Sequence, residues 1–85
     1  MAEHPLRADS LEIDPVDDGF MIYQPERDRV HYLNHTAVLV LEFCNGENSP
    51  AQLAALVQKA FGLDGPPDRE VLEILAKLKD EALIR

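Results

Sequence analysis

Few side chains in this sequence could do chemistry: one cysteine, Cys44, three histidines, His4, His31 and His35, and sixteen carboxylates. Cys44 follows Ala37, Val40 and Leu41 at helical spacing, so it falls on an apolar helix face. Burial disfavours a thiolate, which makes such a cysteine a small hydrophobe rather than a nucleophile. His31 and His35 are four residues apart but straddle the join between a strand pattern and a helix pattern. With His4 far off near the N-terminus, the four tetrahedral ligands of a structural zinc site do not come together. The carboxylates mostly alternate with apolar residues or sit in turns, as on a solvated surface. No nucleotide-binding glycine motif, HExxH, CxxC or GxSxG is present. The sequence therefore predicts no catalytic residue, no metal and no cofactor.

At 85 residues the chain is one domain with a modest core, and it offers little interior in which to shield a reaction from water. Its 46% hydrophobic content is too high for a disordered chain. Sixteen acidic residues against eight basic give a net charge of -8. Nucleic-acid phosphates call for a basic face, so the balance argues against DNA or RNA as partner. A single cysteine forms no internal disulfide and suits a reducing compartment. Met1–Ser10 lacks the apolar stretch of a secretory signal, and the run Ala37–Leu41 is too short to span a bilayer. A cytoplasmic protein with no membrane association is expected.

The elements around these residues follow from pattern. Residues 1–10 read as a flexible lead-in, and residues 11–85 as the domain. Leu11 and Ile13 alternate with Glu12 and Asp14, a half-buried strand that Pro15 puts at an edge or ends. Asp18-Gly19 is a hairpin signal, Phe20–Gln24 a second strand, Pro25–Asp28 a turn and Arg29–Leu33 a third strand. Asn34 or Thr36 can cap a helix over about 35–45, apolar on nearly every side and closed by Gly46. Ser49, Pro50 and Gln52 open a second helix as a capping box with proline at the first position, and Gly62 stops it. A third begins near Asp68, with acids in its first turn and Lys77 and Lys79 in its last. Val71, Ile74, Leu75 and Leu78 form its core stripe, with a weaker stripe of Leu72, Ala76 and Lys79 beside it. The result is an α+β domain, a three-stranded antiparallel meander followed by three helices (βββααα).

One feature suggests binding. An end strand of a meander carries unpaired N–H and C=O groups, and Val30, His31, Tyr32 and Leu33 make a regular edge with no proline. Leu72 and Ala76 give the third helix more apolar surface than one core stripe needs. If that helix stands beside the free edge, an extended peptide could add as a fourth strand in the groove between them. The same edge would also permit a homodimer by strand pairing.

Several stretches together resemble the family of pyrroloquinoline quinone (PQQ) synthesis protein D, PqqD. They are PERDRVHYLN leading into Leu33-Asn34, then Thr36-Ala37, Leu41 and Cys44-Asn45-Gly46. Ser49, Leu53, Leu56 and Phe61 fit that family's second helix, and Leu75, Leu78, Leu83 and Ile84 its ending. The resemblance runs from about Leu11 to the C-terminus. It implies a winged-helix-like domain with no catalysis and no cofactor of its own. Such a domain, a precursor-peptide recognition element or peptide chaperone, binds the leader of a ribosomally made precursor peptide. It then presents that leader to a modifying enzyme, often a radical S-adenosylmethionine (SAM) enzyme. Carried over by position, the peptide-binding residues are Val30, His31, Tyr32 and Leu33 on the strand and Leu72, Leu75, Ala76 and Lys79 on the helix, with Leu75 open to assignment to the core instead. Asn45 departs from the family's usual Asp, and the set Arg29, His31, Tyr32 is more polar and aromatic than in many members.

The alternative is a winged-helix DNA-binding or regulatory domain, which needs a basic recognition helix. Arg69, Lys77 and Lys79 on the third helix are diluted by Asp68, Glu70, Glu73 and Asp80.

Overall fold

Three strands, Glu12–Val16 (β1), Gly19–Gln24 (β2) and Arg29–Leu33 (β3), pair antiparallel in the order β1-β2-β3. Three helices follow: His35–Glu42 (α1), Pro50–Phe61 (α2) and Asp68–Asp80 (α3). This is the βββααα arrangement that the sequence pattern predicts. The coordinates are a computed structural model that describes residues 4–85.

The sheet register sorts side chains by face. Ile13, Ile22 and His31 lie opposite one another, as do Pro15, Phe20 and Leu33. Ile22, His31 and Leu33 are buried, whereas Val30 and Tyr32 are 57% and 49% exposed. Strand alternation therefore turns one sheet face onto the helices and leaves the other in water. Pro15 sits within β1, an edge strand, where its missing N–H costs no ladder bond. The β1–β2 turn is Asp17-Asp18, one residue earlier than the Asp-Gly signal suggests. Gly19 begins β2 instead, and it is needed for space. A Cβ there would stand 2.5 Å from Leu33 O and 2.8 Å from Tyr32 Oη. Because the obstacle includes β3 backbone, Gly19→Ala is expected to lower stability by about 1–3 kcal/mol. A thermal melt by circular dichroism would show it, and an unchanged midpoint would contradict this packing.

Helix α1 touches β2, β3, α2 and α3 and sits at the centre of the core, with Val40 and Leu41 almost fully buried. Asn34 caps it, its Oδ1 accepting from Ala37 N at 2.8 Å. The helix ends at Glu42, earlier than residue 45. Gly46 does take positive φ (+85°), but in the turn beyond, where its N–H bonds Pro5 O. Cys44 thus lies just past the helix, and it is fully buried there. The capping box of α2 forms as expected, Ser49 and Gln52 bonding each other's backbone N–H, and Gly62 closes the helix with φ +63°.

The end of α3 is a Schellman turn: Ala82 N bonds Lys79 O, Leu83 N bonds Leu78 O, and Ala82 adopts φ +59°. The turn sends Leu83 and Ile84 back into the core. The segment read as a lead-in is bonded over part of its length. Arg7 N bonds Cys44 O, Ala8 N bonds Leu83 O, and Arg85 N bonds Leu6 O. Ion pairs Arg7–Glu42 and Arg85–Asp9 flank these bonds. Its polar composition carries no periodicity because the partners are loop and tail backbone rather than a core face. Residues 1–3 lie outside the described residues.

Candidate peptide-binding groove

Among the described residues β3 is bonded to β2 on one side and to no strand on the other. A groove of about 180 Å³ lies between the end of β3, the start of α1 and one flank of α3. Leu33, Ala37, Ile74 and Leu78 supply its apolar lining, and Tyr32, Glu70 and Lys77 its polar lining. Tyr32 is held in place because its hydroxyl donates to Asp18 O at 2.7 Å. Ile74 is only half-buried, so it offers apolar surface to whatever occupies the groove.

The structure divides the sequence-predicted site residues. Tyr32 and Leu33 line this groove. Val30 points to the open face of the sheet, the face that the Tyr32 side chain shares as it reaches across Gly19 to Asp18. His31 is turned inward and buried. Its Nε2 is 3.1 Å from Gln24 Oε1, and its Nδ1 is 3.6 Å from Glu81 Oε2. Gln24 in turn donates to Ala82 O at 2.8 Å. Buried polar groups require such partners, and this chain ties the start of β3 to the end of α3. On the helix, Leu72, Leu75, Ala76 and Lys79 line a different depression of about 380 Å³, with Pro5, Pro50 and Ile84. The two stripes lie on opposite flanks of α3, with the core residues Val71, Leu75 and Leu78 between them. Leu75 is 8% exposed and belongs chiefly to the core.

Sequence reasoning did not assign Asn34 and Ala37 at the start of α1, or Glu70, Ile74, Lys77 and Leu78 on α3, to the groove. A signal existed for three of them: positions 70, 74 and 77 are spaced i, i+4, i+7 along the rim of the core stripe.

Cys44 is outside the groove. Burial pushes its thiol pKa from 9.0 up to about 11. At pH 8 the folded protein should therefore be alkylated by iodoacetamide far more slowly than the unfolded chain. The sign for stability follows from the same shift: no effect below pH 9, and a loss between pH 9 and about 11, where only the unfolded chain has released the proton. Equal alkylation rates in both states would contradict the burial. Among the described residues no three His, Cys, Asp or Glu side chains cluster so as to hold a metal. No helix among them is long and apolar enough to cross a membrane.

The family model of coenzyme PQQ synthesis protein D (PqqD) matches residues 19–84. The chain belongs to the PqqD family. The match takes in β2, β3 and all three helices, and so every element that builds the groove. Searches of curated proteins and of solved structures gave no match.

Proposed function

We propose that this PqqD-family chain is a non-catalytic adaptor in coenzyme PQQ synthesis. It binds the leader of a ribosomally made precursor peptide by strand addition to β3 and presents it to a modifying enzyme, a radical SAM enzyme. The observation that carries this reading is the coincidence of a strand edge paired on one side with an apolar groove alongside. Main-chain bonds to the edge would supply affinity, and the groove would supply selectivity. The family's connection with PQQ synthesis points to the pathway.

A free leader is disordered, so binding must offset its ordering cost, and a dissociation constant on the order of 1 μM is expected. Calorimetric titration with leader peptides encoded beside the gene tests this. Saturable one-to-one binding near that affinity is the expected result. Absence of binding for every such peptide would overturn the reading.

A further inference from the structure

α3 lies beside β3 in a defined sense. Its C-terminal end is held near the start of β3, through Glu81 beside His31 and through Ala82 O, which accepts from Gln24, the sheet partner of Arg29. Its earlier turns therefore run toward the end of β3, where the groove meets Asn34 and Ala37. Lys77 is one turn from the held end. Glu70 is seven residues back, about 10 Å along the helix. Both are exposed on the groove, and neither makes an ion pair among the described residues. Arg7, Arg69 and Arg85, by contrast, are each paired with an acid. The rim thus carries two unneutralised charges of opposite sign, with apolar floor between them.

We propose that the groove selects a charge-polarised peptide segment: one apolar side chain seated over Leu33, Ala37 and Ile74, an acidic residue toward Lys77 and a basic residue toward Glu70. The proposal rests on the peptide-binding reading above. Strand geometry sets the spacing. Residues two before and two after the anchor point to the same face as it does, and their long side chains span the distance between the two rim charges. Strand direction sets the order. β3 runs from the Lys77 end to the Glu70 end, so a peptide added antiparallel, the commoner pairing, presents base first and acid last.

The test uses two synthetic leaders that differ only in charge order around one leucine, Lys-Ser-Leu-Ser-Glu against Glu-Ser-Leu-Ser-Lys, titrated into the whole chain. Two rim pairs replaced by two repulsions should give about a fivefold preference for the base-first peptide at low salt. In the double variant Glu70→Lys/Lys77→Glu the preference should reverse, and both substitutions lie at exposed positions. Equal binding of the two orders, a preference for acid first, or a preference that survives the double variant would overturn the charge assignment while leaving peptide binding intact. Failure of both peptides and of the leaders encoded beside the gene to bind would overturn the peptide-binding reading itself.

Discussion

Ile74→Glu should weaken leader binding by about 30- to 100-fold, whereas Leu72→Glu should leave it within about twofold. Ile74 is half-buried and lines the groove beside Leu33 and Ala37. A carboxylate there removes the apolar contact for an anchoring side chain and must itself lose water when the peptide seats. Together these cost about 2–3 kcal/mol. Leu72 is 55% exposed on the opposite flank of α3, in the depression with Pro5 and Pro50. Calorimetry reads the affinities, and circular dichroism establishes that both variants are folded. Binding lost in Leu72→Glu but kept in Ile74→Glu would place the peptide on the other flank.

Leu41→Ala should cost about 2–5 kcal/mol of folding stability. Leu41 has no exposed surface and sits on α1, which touches β2, β3, α2 and α3. Truncation removes transfer energy and leaves a cavity that four surrounding elements cannot all close at once. A domain of this length has about 4–13 kcal/mol in total, so the variant would be marginal. Val16→Ala, at a position 43% exposed, should change stability by less than about 0.5 kcal/mol. Urea unfolding measures both. A Leu41→Ala midpoint equal to the parent's would contradict the placement of α1 at the core.

Most of the fold was legible because local chemistry and packing agree. The caps at Asn34 and at Ser49 with Gln52 appear where their side chains predict. Alternation marks β1, β-forming residues between turn signals mark β2 and β3, and acids and lysines mark the two ends of α3. The end of α1 was less legible. Phe43 and Cys44 continue the apolar pattern, but both lie past the helix, where Cys44 is buried in the turn and Phe43 stays exposed. Residues 5–8 gave no signal, since backbone bonding to a loop and a tail leaves no side-chain period.

The site was legible in outline only. Sequence spacing shows that α3 has apolar surface on both sides of its core stripe. Which side faces β3 depends on how the helix docks, through its core residues Val71, Leu75 and Leu78 and through the bonds His31–Gln24–Ala82 at its end. The Gln24–Ala82 bond joins residues 58 positions apart and has no local signature. His31 likewise reads as a polar edge residue until its inward neighbours, Gln24 and Glu81, are known.

On the proposed reading a leader peptide lies between β3 and the Ile74 flank of α3. An amide NMR titration of the labelled chain with the leaders encoded beside its gene tests it most directly. Saturable shifts concentrated in residues 31–37 and at Glu70, Ile74, Lys77 and Leu78 are expected. Shifts centred instead on Leu72, Ala76 and Lys79, or on the open sheet face at Met21, Tyr23 and Val30, would contradict it.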